Sequence, residues 1–539
     1  MATFRGLAAL ALILTFSSCC YLTTPTSATP DSDGFLQCLL GNIPSGLIYT
    51  QGASNFTDVL ASSVHNPRVY TGDMVRPLCI VTATDASHVQ AAVRCGRAHG
   101  VRVRVRSGGH DYEGLSYRSL QQGDVFGVVD LAGIRAITVG SDAVWPLAPT
   151  AWVESGATLG ELYYTVAKNN SEVAFPAGIC PTIGVGGHFS GGGIGMLMRK
   201  FGLSIDNILD AKLVNADGDL VDRAAMGEDL FWAIRGGGGG NFGIVVSWKV
   251  SLVKVPSTVT AFNIVRTVDQ GAIDVLTRWQ EVGPTLPFDI NMRVIIMGQQ
   301  VTFQSLYLGK CSDVVPMLSN LFPELGMTGG DCLEMTWLQS VVFFNSWNPN
   351  APVESLLSRG TSLSTFTKNK SDYVRRAIAK DDWNKIFPWF AMDGAGMIIL
   401  EPHGGFIDTI PASATPYPHR SGVLYNIQYI TFWPWGNDGS AATSWINNFY
   451  DFMGQYVCKN PRVAYVNYRD LDIGVNTVVN DVTTFDGGKV WGEKYFAGNF
   501  RRLAAVKAAV DPTDFFRSEQ SIPPLVQGNR WGKRLGLHE

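Results

Sequence analysis

The sequence predicts an α+β protein of two domains whose regular elements are joined by glycine-rich turns. Three observations carry that expectation. Strand and helix patterns are interleaved from about residue 75; glycine-dense turns at 107–114, 178–195 and 236–243 are each flanked by regular structure; and after Val255-Pro256 longer strands and helices appear, with Trp, Phe and Tyr scattered through them. At 539 residues the chain exceeds one compact domain. Glycine, 58 residues, stands above its usual share of roughly 7%.

From the N-terminus, residues 1–28 read as an export signal. Arg5 precedes the apolar run 7–16, and Thr26-Ser27-Ala28 supplies small residues for cleavage. No later stretch has eighteen uncharged apolar residues, so a soluble secreted product is expected, without membrane attachment. A net charge of −4 gives no basic field for nucleic acid. Sequons at Asn55, Asn169 and Asn369 suit a glycosylated product. In an oxidising compartment cysteines are disulfide candidates. Nine are present, and Cys19 and Cys20 leave with the signal. The remaining seven are odd in number, so one has another fate; Cys180, alone inside a glycine run, is the candidate.

Residues 75–81 form a short strand candidate, 87–98 a helix ended by Gly100, and VRVRVR at 101–106 a strictly alternating strand with one apolar face. That strand runs into SGGHDYEG, which continues neither element. Thr158-Leu-Gly-Glu161 is a capping box opening a helix that precedes the run GICPTIGVGGHFSGGGIG. Residues 208–215 read as a strand turned by Asp217-Gly218, and 243–252 as another. The strand at 425–430 places Asn426, Gln428 and Ile430 on one face and Tyr425, Ile427 and Tyr429 on the other. A last helix at 499–510 stops at Asp511-Pro512.

GGGNFG at 238–243 formally satisfies G-x-G-x-x-G. A strand follows it instead of a helix, and the next acidic residue is Asp269, so a Rossmann nucleotide turn is excluded. The eight histidines show no zinc-ligand spacing, and no G-x-S-x-G elbow supports a serine hydrolase. Glycine turns of this kind either bring backbone N–H groups to phosphate oxygens or are tight turns of a β-rich fold; composition leaves both open. His110 follows a Gly-Gly turn at a strand end, a place where loops carry chemistry on a rigid scaffold.

RSGGHDYEG, GICPTIGVGGHFSGGGIGMLMRKFGL, IRGGGGGNFGIV, PYPHRSGVLYNIQY, NYRDLDIG and QSIPP together resemble the berberine-bridge-enzyme-like flavoproteins of plants, and within them the grass pollen group 4 allergens. The likeness spans the mature chain. It implies a vanillyl-alcohol-oxidase/PCMH-type fold: an FAD-binding domain over 29–255, a substrate domain with an antiparallel sheet and helices over 256–465, and a segment 466–539 returning to the first.

The resemblance also implies FAD attached twice, through His110 to the flavin 8α carbon and through Cys180 to C6. The cofactor would be bound by Arg106, Ser107, Gly108, Gly109, Ile183, Gly184, Gly186, Gly187, His188, Gly243 and Ile244. Imidazole and thiolate are nucleophiles suited to an electron-poor ring. Cys38–Cys95 resembles the family's N-terminal disulfide, with Cys311–Cys332 as a second pair and Cys79 and Cys458 unassigned.

The implied reaction is hydride transfer from a C–H carbon to flavin N5, with oxygen or another molecule as final acceptor. Tyr112, Asn426, Gln428 and Tyr468 are the catalytic candidates. Gln428 stands where berberine bridge enzyme has its glutamate base, and Ile194 and Asn426 replace a tyrosine and a lysine of the monolignol-oxidising branch. A carbohydrate alcohol or hemiacetal is therefore the expected substrate. A monolignol or other aromatic alcohol, and a catalytically weak carbohydrate-binding flavoprotein, are the alternatives.

Overall fold

The structure, a computed structural model, describes residues 29–140, 149–361 and 365–525. The predicted export signal lies outside them. Ile48–Thr50 (β1), Cys79–Thr82 (β2), Arg102–Arg106 (β3) and Phe126–Asp130 (β4) form a sheet in the order β1-β2-β4-β3; β2, β4 and β3 are parallel and β1 is antiparallel at the edge. The expected strand at 75–81 starts later, at Cys79, because Pro77 has no N–H for a ladder. The following helix, Ala86–His99, opens where Asp85 accepts from the Ser87 N–H and ends at left-handed Gly100.

The alternating strand departs from expectation. Both faces of β3 are covered, as parallel sheets require. Arg104 and Arg106 are buried, so each is paired: Arg106 Nε donates to Asp130 Oδ2 at 2.6 Å across the ladder, and Arg104 bridges Asp124 and Glu519.

The chain continues through Ile137–Val139 (β5), Thr150–Glu154 (β6), Val173–Ala174 (β7), Ile208–Val214 (β8), Leu220–Val221 (β9), Ile244–Ser251 (β10) and Val253–Lys254 (β11). Five of these make an antiparallel sheet, β5-β6-β10-β8-β9, while β7 pairs with β11. The predicted turn at Asp217-Gly218 joins β8 to β9, with Gly218 at φ 80°. The capping box is present in full at Thr158 and Glu161 and opens the helix Leu159–Asn169. The glycine run that follows, read as a glycine-rich turn, contains a seven-residue helix, Val185–Gly191.

Val259–Thr267 (β12), Ile290–Met297 (β13), Gln300–Tyr307 (β14), Leu333–Met335 (β15), Thr365–Val374 (β16), Met397–Pro402 (β17) and Tyr425–Pro434 (β18) build a seven-stranded antiparallel sheet, β15-β12-β14-β13-β17-β18-β16. The period-2 reading of β18 holds. Tyr425, Ile427 and Tyr429 join a core with Trp279, Trp445 and Phe449 from the helices Ala272–Val282 and Ser440–Met453, while Gln428 faces the opposite way. Asn369 sits inside β16, 1% exposed, with its Oδ1 accepting from Gln428 Nε2 at 2.9 Å. A glycan there is incompatible with the folded sheet, which corrects the third sequon; Asn55 and Asn169 are exposed.

Cys38–Cys95 and Cys311–Cys332 are disulfide-bonded, leaving Cys79, Cys180 and Cys458 as thiols. Burial pushes the Cys79 thiol up to about 12, so it is inert. Among the described residues no helix is long and apolar enough to cross a membrane.

The helix Phe500–Val510 anchors the C-terminal segment to the glycine turns. Lys507 Nζ, fully buried, donates to the carbonyls of Asn241 and Phe516 at 2.8 Å and pairs with Asp511 at 2.7 Å and Asp514 at 3.4 Å. Replacing Lys507 by Met leaves two buried carboxylates without their cation. The expected loss is roughly 3–5 kcal/mol, read as a lowered denaturant midpoint. A midpoint unchanged from wild type would refute this anchoring role.

Candidate functional site

The strand β3 delivers the first turn of the site. Gly109 adopts φ 69°, and a Cβ there would lie 1.7 Å from the Ser63 carbonyl oxygen. A Cβ on Gly108 would meet the Gly184 nitrogen at 2.3 Å, and one on Gly184 the Gly108 nitrogen at the same distance. Two turns some seventy residues apart in sequence thus touch backbone to backbone. The helix beginning at Leu159 fixes the second of them. Its first-turn N–H groups, which have no intrahelical partner, donate from Leu159 to the Ile183 carbonyl and from Gly160 to the Pro181 carbonyl, both at 2.9 Å.

This contact brings His110 and Cys180 to one wall. His110 Nε2 lies 2.8 Å from Thr182 Oγ1, and the Cys180 sulfur lies 3.5 Å from the same hydroxyl. His65 stacks on His110 with ring centroids 3.6 Å apart. Burial holds His65 down at about 4 and His110 well below its ordinary range, so both rings are neutral at pH 7. His188 accepts the Gly178 N–H at Nε2, 3.0 Å away, and burial lowers it to about 4.

The wall belongs to a cavity of about 430 Å³ between the three glycine turns and one face of the seven-stranded sheet. Ser107, Gly108, Gly109 and His110 line it from the first turn. Cys180, Ile183, Gly184, Gly186, Gly187 and His188 line it from the second, with Ile194 beyond them. Tyr112, Gln428 and Tyr468 line it as well.

Gln428 Nε2 donates to the Tyr112 hydroxyl at 2.9 Å, and Tyr468 meets the Tyr112 ring edge-on. Burial raises Tyr112 to about 12 and Tyr468 well above its usual value. Both phenols are therefore neutral and serve as hydrogen-bonding groups.

Four predicted residues do not line the cavity. Arg106 turns to Asp130. Gly243 leads the chain into β10 against the Val214 carbonyl, and Ile244 lies in the core; Val245, one residue on, reaches the cavity in their place. Asn426 is fully buried, its Nδ2 donating to the Asp372 carbonyl at 2.9 Å. Sequence reasoning missed Thr182, Arg293, Glu401 and Arg469. Arg469 lay within the quoted NYRD motif, but Arg293 and Glu401 carry no local signal and meet only through sheet register.

The fit of a flavin nucleotide can be judged from the cradle. A Cβ on Gly187 would meet nothing within 4 Å, and one on Gly239 only Ser190 and the Gly187 Cα beyond 3.5 Å, so bare backbone faces the space. Arg469 brings a cationic group to the lining, its Nε 3.5 Å from Asp111 Oδ2. Bare backbone, a cationic side chain and two nucleophiles at one wall suit a flat, anionic, electron-poor group.

This arrangement defines a flavin-dependent oxidoreductase, and the comparisons agree. Residues 77–223 match an FAD binding domain and 464–523 the berberine and berberine-like domain. The chain is 52% identical to berberine bridge enzyme-like Cyn d 4 of Cynodon dactylon over 98% of its own length and 100% of the relative. It superposes with TM-score 0.89 and 52% identity on Phl p 4, described as a grass pollen allergen with glucose dehydrogenase activity, covering 92% of this chain and 100% of that one. A berberine bridge enzyme variant described as a reticuline dehydrogenase matches at TM-score 0.85 and 35% identity over 92% and 99%. The chain belongs to the berberine bridge enzyme-like family of FAD-dependent oxidoreductases, with its PCMH-type fold.

The buried histidine stack has a measurable consequence. An unfolded His65 titrates near 6.5 and the folded one near 4, so the unfolded chain binds the extra proton first as pH falls. The holoenzyme should lose stability progressively from about pH 6.5 down to pH 4, by about 2–3 kcal/mol from this residue. His65→Phe, which keeps the stack without the titration, should flatten that part of the profile of thermal midpoint against pH. An equally steep profile in the variant would contradict the assignment.

Proposed function

We propose that this protein is a secreted, bicovalent FAD-dependent oxidoreductase that oxidises a sugar or oligosaccharide at its C1 hemiacetal. Residues 29–255 together with 466–525 would form the FAD-binding part and 256–465 the substrate part. One observation carries the double linkage: His110 and Cys180 approach the same Thr182 hydroxyl on the wall of a flavin-sized cavity. In this reading His110 holds the flavin 8α carbon and Cys180 holds C6. Gly108, Gly184, Gly187 and Arg469 receive the rest of the nucleotide, and the bound flavin supplies the hydride acceptor.

The polar end of the cavity, with Gln428, Arg293 and Glu401, supports a hydroxyl-rich substrate, in keeping with the glucose dehydrogenase activity ascribed to Phl p 4. Ile194 lines the cavity where the monolignol branch carries a tyrosine, and buried Asn426 occupies the branch's lysine position. Both weigh against an aromatic alcohol. Ile183 stands three residues beyond Cys180 on the cavity wall, and its bulk favours an electron acceptor other than oxygen. Two disulfides and the N-terminal leader pattern support an extracellular or cell-wall site of action.

The test is direct. Yellow colour should stay with the polypeptide after acid precipitation. Cys180→Ala should keep flavin bound through His110 alone, with a shifted absorption spectrum and slower reduction. Anaerobic glucose or an oligosaccharide should bleach the flavin where monolignols do not, and air should restore the colour slowly. Loss of flavin on precipitation sinks the bicovalent reading, bleaching only by aromatic alcohols sinks the sugar reading, and rapid recolouring in air sinks the acceptor reading.

A further inference from the structure

Register lays a polar row across the cavity face of the seven-stranded sheet. Asn263 pairs with Gln304, Gln304 with Arg293, and Glu401 with Asn426. Between β13 and β17, Val294 pairs with Leu400; one residue on, Arg293 Nη1 donates to Glu401 Oε1 at 3.2 Å. The same guanidinium donates from Nε and Nη2 to Gln304 Oε1, at 2.8 and 2.5 Å, so its plane is fixed. Glu401 is 4% exposed, and its second oxygen, Oε2, is buried without any hydrogen-bond partner. An unsatisfied buried acceptor costs on the order of 1–3 kcal/mol, more when charged, and persists where a ligand completes it. Glu401 lines the same cavity as Gln428, Tyr112 and Tyr468.

We infer that Glu401 is the general base of the oxidation, with Oε2 receiving the proton of the substrate hydroxyl and Arg293 acting as the positioning residue on Oε1. In the step the substrate O–H and C–H bonds break and a C=O bond forms. The hydride, with its electron pair, is taken up by the bound flavin, and the proton remains on Glu401 as a neutral carboxylic acid. The position that holds a glutamate in berberine bridge enzyme is the neutral amide Gln428 here, and the carboxylate reaches the same cavity from the neighbouring strand: Ile399, two residues before Glu401, is the ladder partner of Gln428.

The groups facing Glu401 are consistent with this role. Arg293 approaches from β13, and Tyr468, from the segment after β18, is held neutral. His403, two residues along, lies with Nδ1 3.2 Å from the Glu401 carbonyl oxygen and is neutral at pH 7, burial lowering it to about 4. Burial raises the carboxyl of Glu401 and Arg293 opposes it, leaving it above the usual carboxylate range and closer to the pH at which a base works best.

Holoenzyme carrying Glu401→Gln, Glu401→Asp or Glu401→Ala tests the inference, with anaerobic flavin reduction by glucose as the rate and the flavin difference spectrum with glucono-1,5-lactone as an independent measure of binding. Glu401→Gln should lower the limiting reduction rate by roughly 10²–10⁴-fold, keep lactone affinity within about threefold, and abolish the acidic limb of the pH–rate profile. Formate should restore the Glu401→Ala rate at least about tenfold. Glu401→Asp, the variant used if the amide does not retain flavin, should be slowed with the acidic limb still present.

A limiting rate within about tenfold of wild type, coupled to weakened lactone binding, would make Glu401 a sugar-hydroxyl acceptor and overturn the inference. So would a slow Glu401→Ala enzyme unresponsive to formate. The inference rests on the sugar reading only for its probe. Wild-type flavin left oxidised by glucose tells against that reading alone, and the variants are then assayed with the alcohol that does reduce it.

Discussion

The site depends on one steric constraint: the backbone of Gly108 lies directly against that of Gly184. Neither position admits a Cβ, since each would place one 2.3 Å from the other's nitrogen. The contact sets the distance between a turn launched by β3 and a turn held by the first N–H groups of the helix at Leu159. His110 follows the first glycine by two residues and Cys180 precedes the second by four, so joining the backbones sets both nucleophiles on one wall. Thr182 between them fills the remaining space with a hydroxyl. Close backbone approach is the use of glycine that best repays its conformational entropy cost.

The opposite wall is specified differently. Antiparallel register makes Arg293, Glu401 and Gln304 neighbours although they lie on three strands and span over a hundred residues. A one-residue slip of β17 would send Glu401 to the helix-covered face, among Trp279 and Phe449, away from Arg293. The apolar face thus enforces the chemistry of the polar one. Tyr425, Ile427 and Tyr429 hold β18 in phase, and Gln428 points into the cavity as a result.

These two modes of specification decide what could be read from sequence. Signals confined to one element survived. The capping box at Thr158, the turn at Asp217-Gly218 and the alternation of β18 all stand in the fold, because each is decided within a few residues. The motif residues His110, Cys180 and Gln428 line one cavity. Where neighbours far along the chain decided, the reading failed. VRVRVR looked half-exposed because alternation is blind to the second layer that covers a parallel sheet, and Arg106, grouped with the cofactor residues, is committed to Asp130. Asn426 has the right periodicity for the cavity, yet the fold encloses it at the next rung of the ladder. The Asn369 sequon satisfies a three-residue rule that contains no information about burial.

Buried carboxylates are common in this chain, and their hydrogen bonding separates structural ones from reactive ones. Asp372 is fully buried and raised to about 6 by desolvation, yet Arg462 donates to both of its oxygens and Tyr429 adds a third bond. Glu113 is held by Lys368 on one oxygen and Arg68 on the other, and Asp470 by Lys368 and Lys370. A carboxylate saturated in this way has no lone pair directed at a substrate, and protonating it would break the pairs that hold strands together. Glu401, a residue of the cavity wall, differs in having one oxygen committed to Arg293 and the other buried without a partner. The guanidinium opposes the upward push of burial on the carboxyl, and the unpartnered oxygen supplies the acceptor. The neutral tyrosines around it then have no need to ionise, which removes the difficulty that phenols raised by burial pose for proton abstraction near neutral pH.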